Sequence, residues 1–331
     1  MKFNKLIFLV VILLGIIFIF NFIRTGKTGK KQVELKKITV LLDWFPNTNH
    51  TGIYVAKARN YFKEKGLEVE IIAPVETENL QSVAAGTAQF AVSSQEAVTM
   101  ARAEGLPIKS IAAVVRHNTS AFASLPKSDI KEVKDFEGKR YGGWGSPIEE
   151  QVLKMVTKEA GADYSKIKNV TIGTTDFFTS IGRDSDFQWI FYGWDGVEAK
   201  RRGLELNLIW LKDLSQVLDY HTPVLVTSDS LIQKDPETVK NFLNAVAMGY
   251  EYAIENPDKS AQVLVDLVPE INAPLVLESQ KWLSKEYRAD GPKWGYQEET
   301  FWSRYADWLY EGGQIKTKIN IKDAFTNDFL P

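Results

Sequence analysis

The stretch "LLDWFPNTNHTGIYVAKARNYF", residues 41–62, begins as the apolar run of a strand and ends with the spacing of a helix. Between the two lies a turn that carries Asp43, Trp44, Asn47, Asn49 and His50. Tyr54, Ala58, Tyr61 and Phe62 share one face at helical spacing, and Gly66 follows Lys63 and Lys65 as a stop signal, so a helix is expected over 51–65. In open α/β sheets a ligand crevice lies outside the carboxyl ends of the strands. A carboxylate, an indole, two amides and an imidazole at such a strand end read first as a binding turn.

The alternation continues outward. "LEVEII" is a strand, "TENLQSVAAG" a helix, "AQFAVSS" a strand, "QEAVTMARAEG" a helix and "PIKSIAAVV" a strand. Repeated βαβ units of this length predict a mostly parallel sheet with helices on both faces. Two later segments, "SAFASLPKSDI" and "TPVLVTSDSLI", are alike: an apolar strand, then a polar turn containing Ser-Asp. They flank a self-contained α/β block, which predicts one lobe inserted into another, with these two strands as the crossings. The limits are residues 38–123 and 223–331 for lobe one and 124–222 for lobe two. Within the block, helices are expected at 147–160 and near 175–182. Beyond Thr227 they are expected at 236–254, 258–267, 274–286 and 297–311, with Asp235-Pro236 opening the first of these.

The 331 residues are 44% hydrophobic and 25% charged with a net charge of −2, so the basic footprint of a nucleic-acid binder is absent. The absence of cysteine removes disulfides, thiolate metal sites and a cysteine nucleophile. At the N-terminus "LIFLVVILLGIIFIF" runs from Leu6 to Phe20, and Phe22 and Ile23 extend it. That length reaches the lower limit of a membrane span, about 17–25 residues, and no small-residue cleavage site follows. Residues 1–37 therefore read as an uncleaved transmembrane helix with a basic linker, in preference to a cleaved signal. Arg24, Lys27, Lys30 and Lys31 after the span run against the positive-inside rule, although long domains cross largely regardless of charge.

Four groups of polar and aromatic residues fall at strand ends: Asp43, Trp44, Asn47 and His50; Ser93, Ser94 and Glu96; Arg116, His117 and Asn118; and Trp144 and Ser146 with Tyr192, Trp194 and Asp195. Aromatic planes with a few amides and carboxylates suit a flat, hydrogen-bonding heteroaromatic ligand. Each group also has a plainer reading. Asp43 and Asn47 are good turn caps, Trp44, Tyr192 and Trp194 are good core residues, and Ser146-Pro147-Ile148-Glu149 fits a capping box. The aromatic density from Trp282 to Tyr310 reads as helix packing. No G-x-S-x-G, H-E-x-x-H or Walker loop is present, and "GGWGSP" lacks the phosphate-loop lysine. The residues thus point to a two-lobe binder without catalytic, metal or cofactor sites.

The block "LLDWFPNTNHTGIYVAKARNYFKEKGLEVEII", with "GTAQFAVSS", "GKRYGGWGSP", "WIFYGWDG" and "DPETVKNFLNAVAMGYEYAIENP", resembles the thiamine-pyrimidine binding family. These are extracytoplasmic solute-binding proteins of ABC importers, related to the fungal pyrimidine-precursor synthase. The likeness covers residues 38 to 310 and implies a type II periplasmic-binding-protein fold, two lobes closing on the ligand around two crossing strands. It also implies an aminopyrimidine ligand such as formylaminopyrimidine and an ABC permease and ATPase as partners; with the N-terminal apolar run, the expectation is a monomer tethered outside the membrane. The related synthase holds pyridoxal phosphate on a lysine and consumes a histidine of its own. Those positions align with Ser93 and Ala97 here, so both groups are missing. The ligand is accordingly expected between Trp44 and Tyr192 or Trp194. Asp43, Asn47, Asp195 and Glu149 would read the ring edge, and His50, Ser93, Ser94, Asn118, Trp144 and Ser146 would complete the contact shell.

Overall fold

The computed structural model describes residues 34–73 and 79–331. The chain divides into two units, Met1–Leu35 and Lys36–Pro331. Of the first, only residues 34 and 35 are described, so the membrane span expected at 6–23 lies outside the described residues. Among the described residues no helix is long and apolar enough to cross a membrane.

Ten strands form two five-stranded sheets. The first contains β1 (Lys36–Leu41), β2 (Leu67–Ile72), β3 (Phe90–Ser93), β4 (Ile108–Ala113) and β10 (Val224–Ser228), in the order β2-β1-β3-β10-β4. The second contains β5 (Ser120–Ser124), β6 (Arg140–Gly143), β7 (Lys168–Thr171), β8 (Phe187–Phe191) and β9 (Asn207–Trp210), in the order β7-β6-β8-β5-β9. In the first sheet β1 pairs parallel with β2 and β3, whereas β10 runs antiparallel between β3 and β4. In the second, β6 pairs parallel with β7 and β8, and β5 runs antiparallel to β8 and β9. The two similar sequence segments are therefore the antiparallel strands β5 and β10, each lying within a sheet. The crossings expected of them fall just before each one, at 114–119 and 219–223.

Side chains alternate across each sheet with period two. In β3, Phe90 and Val92 enter one cluster and Ala91 the other; in β8, Phe187 and Trp189 face one side and Ile190 the opposite. Both faces of each sheet are covered, which explains why the strands read as nearly continuous apolar runs. The expected helix over 51–65 is instead two, Thr51–Ala58 and Tyr61–Glu64, because Asn60 adopts a left-handed φ of 61° and breaks the first. Near 175–182 only the single turn Phe177–Ser180 forms. The later helices, Pro236–Glu255, Pro257–Leu267, Ala273–Leu283 and Glu299–Glu311, match their expected positions closely.

Polar contacts tie the two crossings together. Both His117 ring nitrogens face carboxylates, Nδ1 to Asp219 at 2.8 Å and Nε2 to Asp290 at 3.1 Å, so the ring sits there as an imidazolium. The Asp219 bond, and the Asp290 contact with it, raise the His117 pKa against the effect of burial. Arg116 and His117 together hold Asp290 down at about 2. His221 is the opposite case: burial lowers it to about 3, and the neutral ring donates Nδ1–H to the Arg116 carbonyl while Nε2 accepts from the Glu298 amide. The helix Glu299–Glu311 also spans the joint, with Trp302 in the first-sheet core and Tyr305 and Leu309 in the second.

Candidate ligand site

The turn after β1 is built around His50. The Asn47 side chain accepts from the Asn49 amide at 2.9 Å, and the Asn47 amide donates to His50 Nδ1 at 3.2 Å. With Nδ1 accepting, the ring proton sits on Nε2, which faces Asp43 Oδ1 at 2.7 Å. His50 is fully buried, and the Asp43 side chain is partly exposed. The imidazole therefore fixes one oxygen of a carboxylate that is still partly open to solvent. Two phenols prop the turn from below: Tyr250 donates to the Asn49 carbonyl and Tyr287 to the Thr48 carbonyl, both at 2.6 Å. Above this support Trp44 is 48% exposed, edge-on to Phe45 at 5.8 Å. Trp44 is a free stacking face, and its reading as a core residue does not hold. Asn47 spends its amide nitrogen on the Phe45 carbonyl and its oxygen on Asn49, so the capping reading describes it.

The second and third groups are more structural. Ser93 ends β3 and is buried, while Ser94 caps the helix Gln95–Ala103 by accepting from the Ala97 amide at 3.2 Å. Asn118 is fully buried; it donates to the Leu218 carbonyl and accepts from the Ser120 amide and hydroxyl. Its polar atoms thus join the two crossings.

On the second lobe, Glu149 is buried and its carboxylate accepts four bonds, from the Tyr141 hydroxyl and the amides of Trp144, Gly145 and Ser146. Ser146 caps the same helix, Pro147–Ala160. Glu149 and Ser146 therefore shape the loop that presents Trp144. That indole is 40% exposed and lies nearly parallel to Phe191, 22° between planes at 6.3 Å.

The chain after β8 forms a π-helical turn, Tyr192–Gly196, a geometry common at functional sites. The Tyr192 ring lies 5.0 Å from both Trp210 and Trp282, and Trp194 packs against the first-lobe core. Both aromatics expected to grip the ligand thus have protein neighbours from the first lobe. Asp195 on the same turn is raised to about 7, by burial first and then by the charge of Asp176. Among the described residues no group of three or more His, Asp or Glu side chains could hold a metal ion.

The structure thus gathers Asp43, Trp44 and His50 on one turn and Tyr192, Trp194 and Asp195 on another. The helix Ala273–Leu283 joins the two, through Trp282 and through Ser279, which donates to the Gly193 carbonyl. Sequence reasoning assigned Trp282 to helix packing and passed over Ser279, Thr48 and Phe191. An isolated serine on an amphipathic helix carries no signal that would have found it.

Comparison with known proteins bears on the family and the fold. Residues 47–260 match the family model described as NMT1/THI5 like. The formylaminopyrimidine-binding protein of Halalkalibacterium halodurans is 30% identical over 308 residues, covering 91% of this chain and 92% of that protein. The riboflavin-binding protein RibY of Chloroflexus aurantiacus is 25% identical over 91% of this chain and 88% of its own. Among solved structures, the periplasmic aliphatic sulphonate binding protein SsuA of Escherichia coli superposes with a TM-score of 0.68 at 14% identity, covering 87% of this chain and 91% of that one. With its two mixed sheets, its paired crossings and a family match over most of its folded part, the chain belongs to the NMT1/THI5-like family and has the two-lobe α/β fold of periplasmic binding proteins.

Proposed function

We propose that this chain is an extracytoplasmic solute-binding protein that carries a thiamine-related aminopyrimidine, such as formylaminopyrimidine, to an ABC permease and its ATPase. The observation that carries the reading is the Asp43–His50 pair beneath an exposed Trp44, an oriented carboxylate beside an open indole face. An aminopyrimidine edge offers amino protons next to ring nitrogens. Asp43 accepts from the former, and Asp195, whose pKa burial raises to about 7, supplies a proton to the latter. Trp144 becomes the second-lobe partner of Trp44, because it is exposed whereas Tyr192 and Trp194 are packed against the first lobe. A ligand held by both lobes favours the closed form in proportion to its contacts with the second.

The ligand leaves as it entered. Where the related synthase has its lysine and histidine, this chain has Ser93 and Ala97, and a serine hydroxyl cannot form the imine that pyridoxal phosphate requires. The N-terminal apolar run would tether the receptor to the membrane. Riboflavin is the second reading, favoured by the likeness to RibY. Thermal unfolding of the full chain in detergent separates the two. Formylaminopyrimidine or hydroxymethylpyrimidine at 100 times its Kd stabilises the fold by about 2.7 kcal/mol. A shift with riboflavin and none with either pyrimidine transfers the assignment to the flavin.

A further inference from the structure

We infer that Ser279 couples the ligand turn of the first lobe to closure of the second, as the middle member of a hydrogen-bond chain from Thr48 to Gly193. That the ligand acts through this chain rests on the function proposed above; the chain of contacts does not.

Ser279 is fully buried on the helix Ala273–Leu283 and donates its hydroxyl proton to the Gly193 carbonyl on the turn after β8. Its oxygen also lies 2.6 Å from Thr48 Oγ1. A serine hydroxyl has one proton, and a carbonyl can only accept. The Ser279 proton is therefore committed to Gly193, and the Thr48 hydroxyl must supply the proton of the second bond. The direction is fixed: Thr48 to Ser279 to Gly193. Thr48 is 2% exposed and belongs to the 3-10 turn that ends at His50, the residue that aims Asp43. Gly193 opens into the turn that carries Trp194 and Asp195. Two side chains thus connect the ligand-bearing turns of both lobes.

The surroundings protect the chain. Trp282, one helical turn beyond Ser279, lies against Tyr192 and screens the contact from water, and a low local dielectric strengthens linked hydrogen bonds. Gly193 eases the approach: a Cβ there would sit tightly, 3.1 Å from Trp282 Cζ3 and 3.3 Å from Leu283 Cδ1, and would press on both side chains. A displacement of the 48–50 turn moves the Thr48 donor, frees the Ser279 hydroxyl to rotate and weakens the hold on the second lobe. A ligand seated on Asp43 and Trp44 steadies that turn and so adds to the closure that its contacts with the second lobe favour.

The chain has no cysteine, so Lys168→Cys and Lys240→Cys on the exposed surfaces of opposite lobes give a clean dye pair. Single-molecule energy transfer on the full chain reads the closed fraction without ligand and with formylaminopyrimidine. Ser279→Ala and Thr48→Val should each lower the ligand-free closed-to-open ratio about threefold to tenfold, the range one hydrogen bond supplies. The double variant should open no further than the stronger single one, since both remove parts of one chain. Ligand dissociation should quicken by a similar factor. Gly193→Ala leaves both hydroxyls in place and should open the lobes as well, which decides the matter if Ser279→Ala fails to fold. An unchanged closed fraction in Ser279→Ala, or additive effects in the double variant, overturns the chain. If formylaminopyrimidine leaves the wild-type distance untouched while Ser279→Ala still opens it, the chain stands and the pyrimidine assignment falls.

Discussion

His50 reaches the proposed ligand site through Asp43, since a neutral ring whose Nδ1 is held by the Asn47 amide has a single proton left to give. This much is legible in "DWFPNTNH", because the partners lie within a few residues and turn chemistry alone brings them together. Solvent access is not legible in the same way. Trp44, Tyr192 and Trp194 are equally plausible stacking faces in the sequence, and only tertiary packing leaves Trp44 open while it seals Tyr192 against Trp282. Glu149 is a similar case: its spacing fits both a cap and a ligand contact, and four inward donors decide for the cap. Asp195 has a consequence for stability. Its pKa rises from 3.8 to about 7 on folding, through burial first and Asp176 second. The folded state therefore holds this proton more tightly than the unfolded one, and that contribution, complete below pH 3.8, is lost as pH climbs through 7. Asp195→Asn should be more stable than wild type at pH 8, with the gain fading as pH falls from 7 toward 4. Urea midpoints at pH 5 and pH 8 check this, and an equal difference at both values contradicts it.

At the scale of elements, the helix Thr51–Ala58 approaches Pro236–Glu255 through a pair of glycines. A Cβ on Gly249 would fall 2.0 Å from the Gly52 carbonyl oxygen, and one on Gly52 would enter the Tyr250 ring. This contact sets the height of the 48–50 turn, where the ligand is proposed to sit, because Tyr250 in the same interface supports the Asn49 carbonyl. Gly249→Ala should cost about 1–3 kcal/mol in chemical denaturation, the usual penalty for overpacking, and should weaken ligand binding as well. A variant with wild-type stability would show that the helices can separate without cost. Element types and most limits follow from periodicity in the sequence. The misses have local causes: the left-handed Asn60 interrupts an otherwise continuous apolar face, and the aromatic run "FYGWDG" reads as a plain strand end until the π turn appears.

For the whole molecule, two sheets share one plan, four mutually parallel strands and one antiparallel strand that follows a crossing. The likeness of "SAFAS" and "PVLVT" reflects that common position, although strand chemistry alone could not say which residues cross. The joint is charged. Because the Asp219 bond, then the Asp290 contact, raises His117, its contribution is complete below pH 6.5 and is lost as pH rises through the elevated value. His117→Ala should lower stability by about 1–3 kcal/mol at pH 6 and by clearly less at pH 9, measured by urea unfolding; a penalty independent of pH would exclude the imidazolium. A flat nitrogen ring held, unreacted, between aromatic faces of the two lobes is the central proposal. Calorimetric titration of the full chain with formylaminopyrimidine tests it most directly, with Trp44→Ala and Trp144→Ala alongside. The prediction is one site per chain, weakened about tenfold or more by either substitution, from lost stacking together with lost area. Absence of heat with wild type, or affinity indifferent to both substitutions, would contradict it.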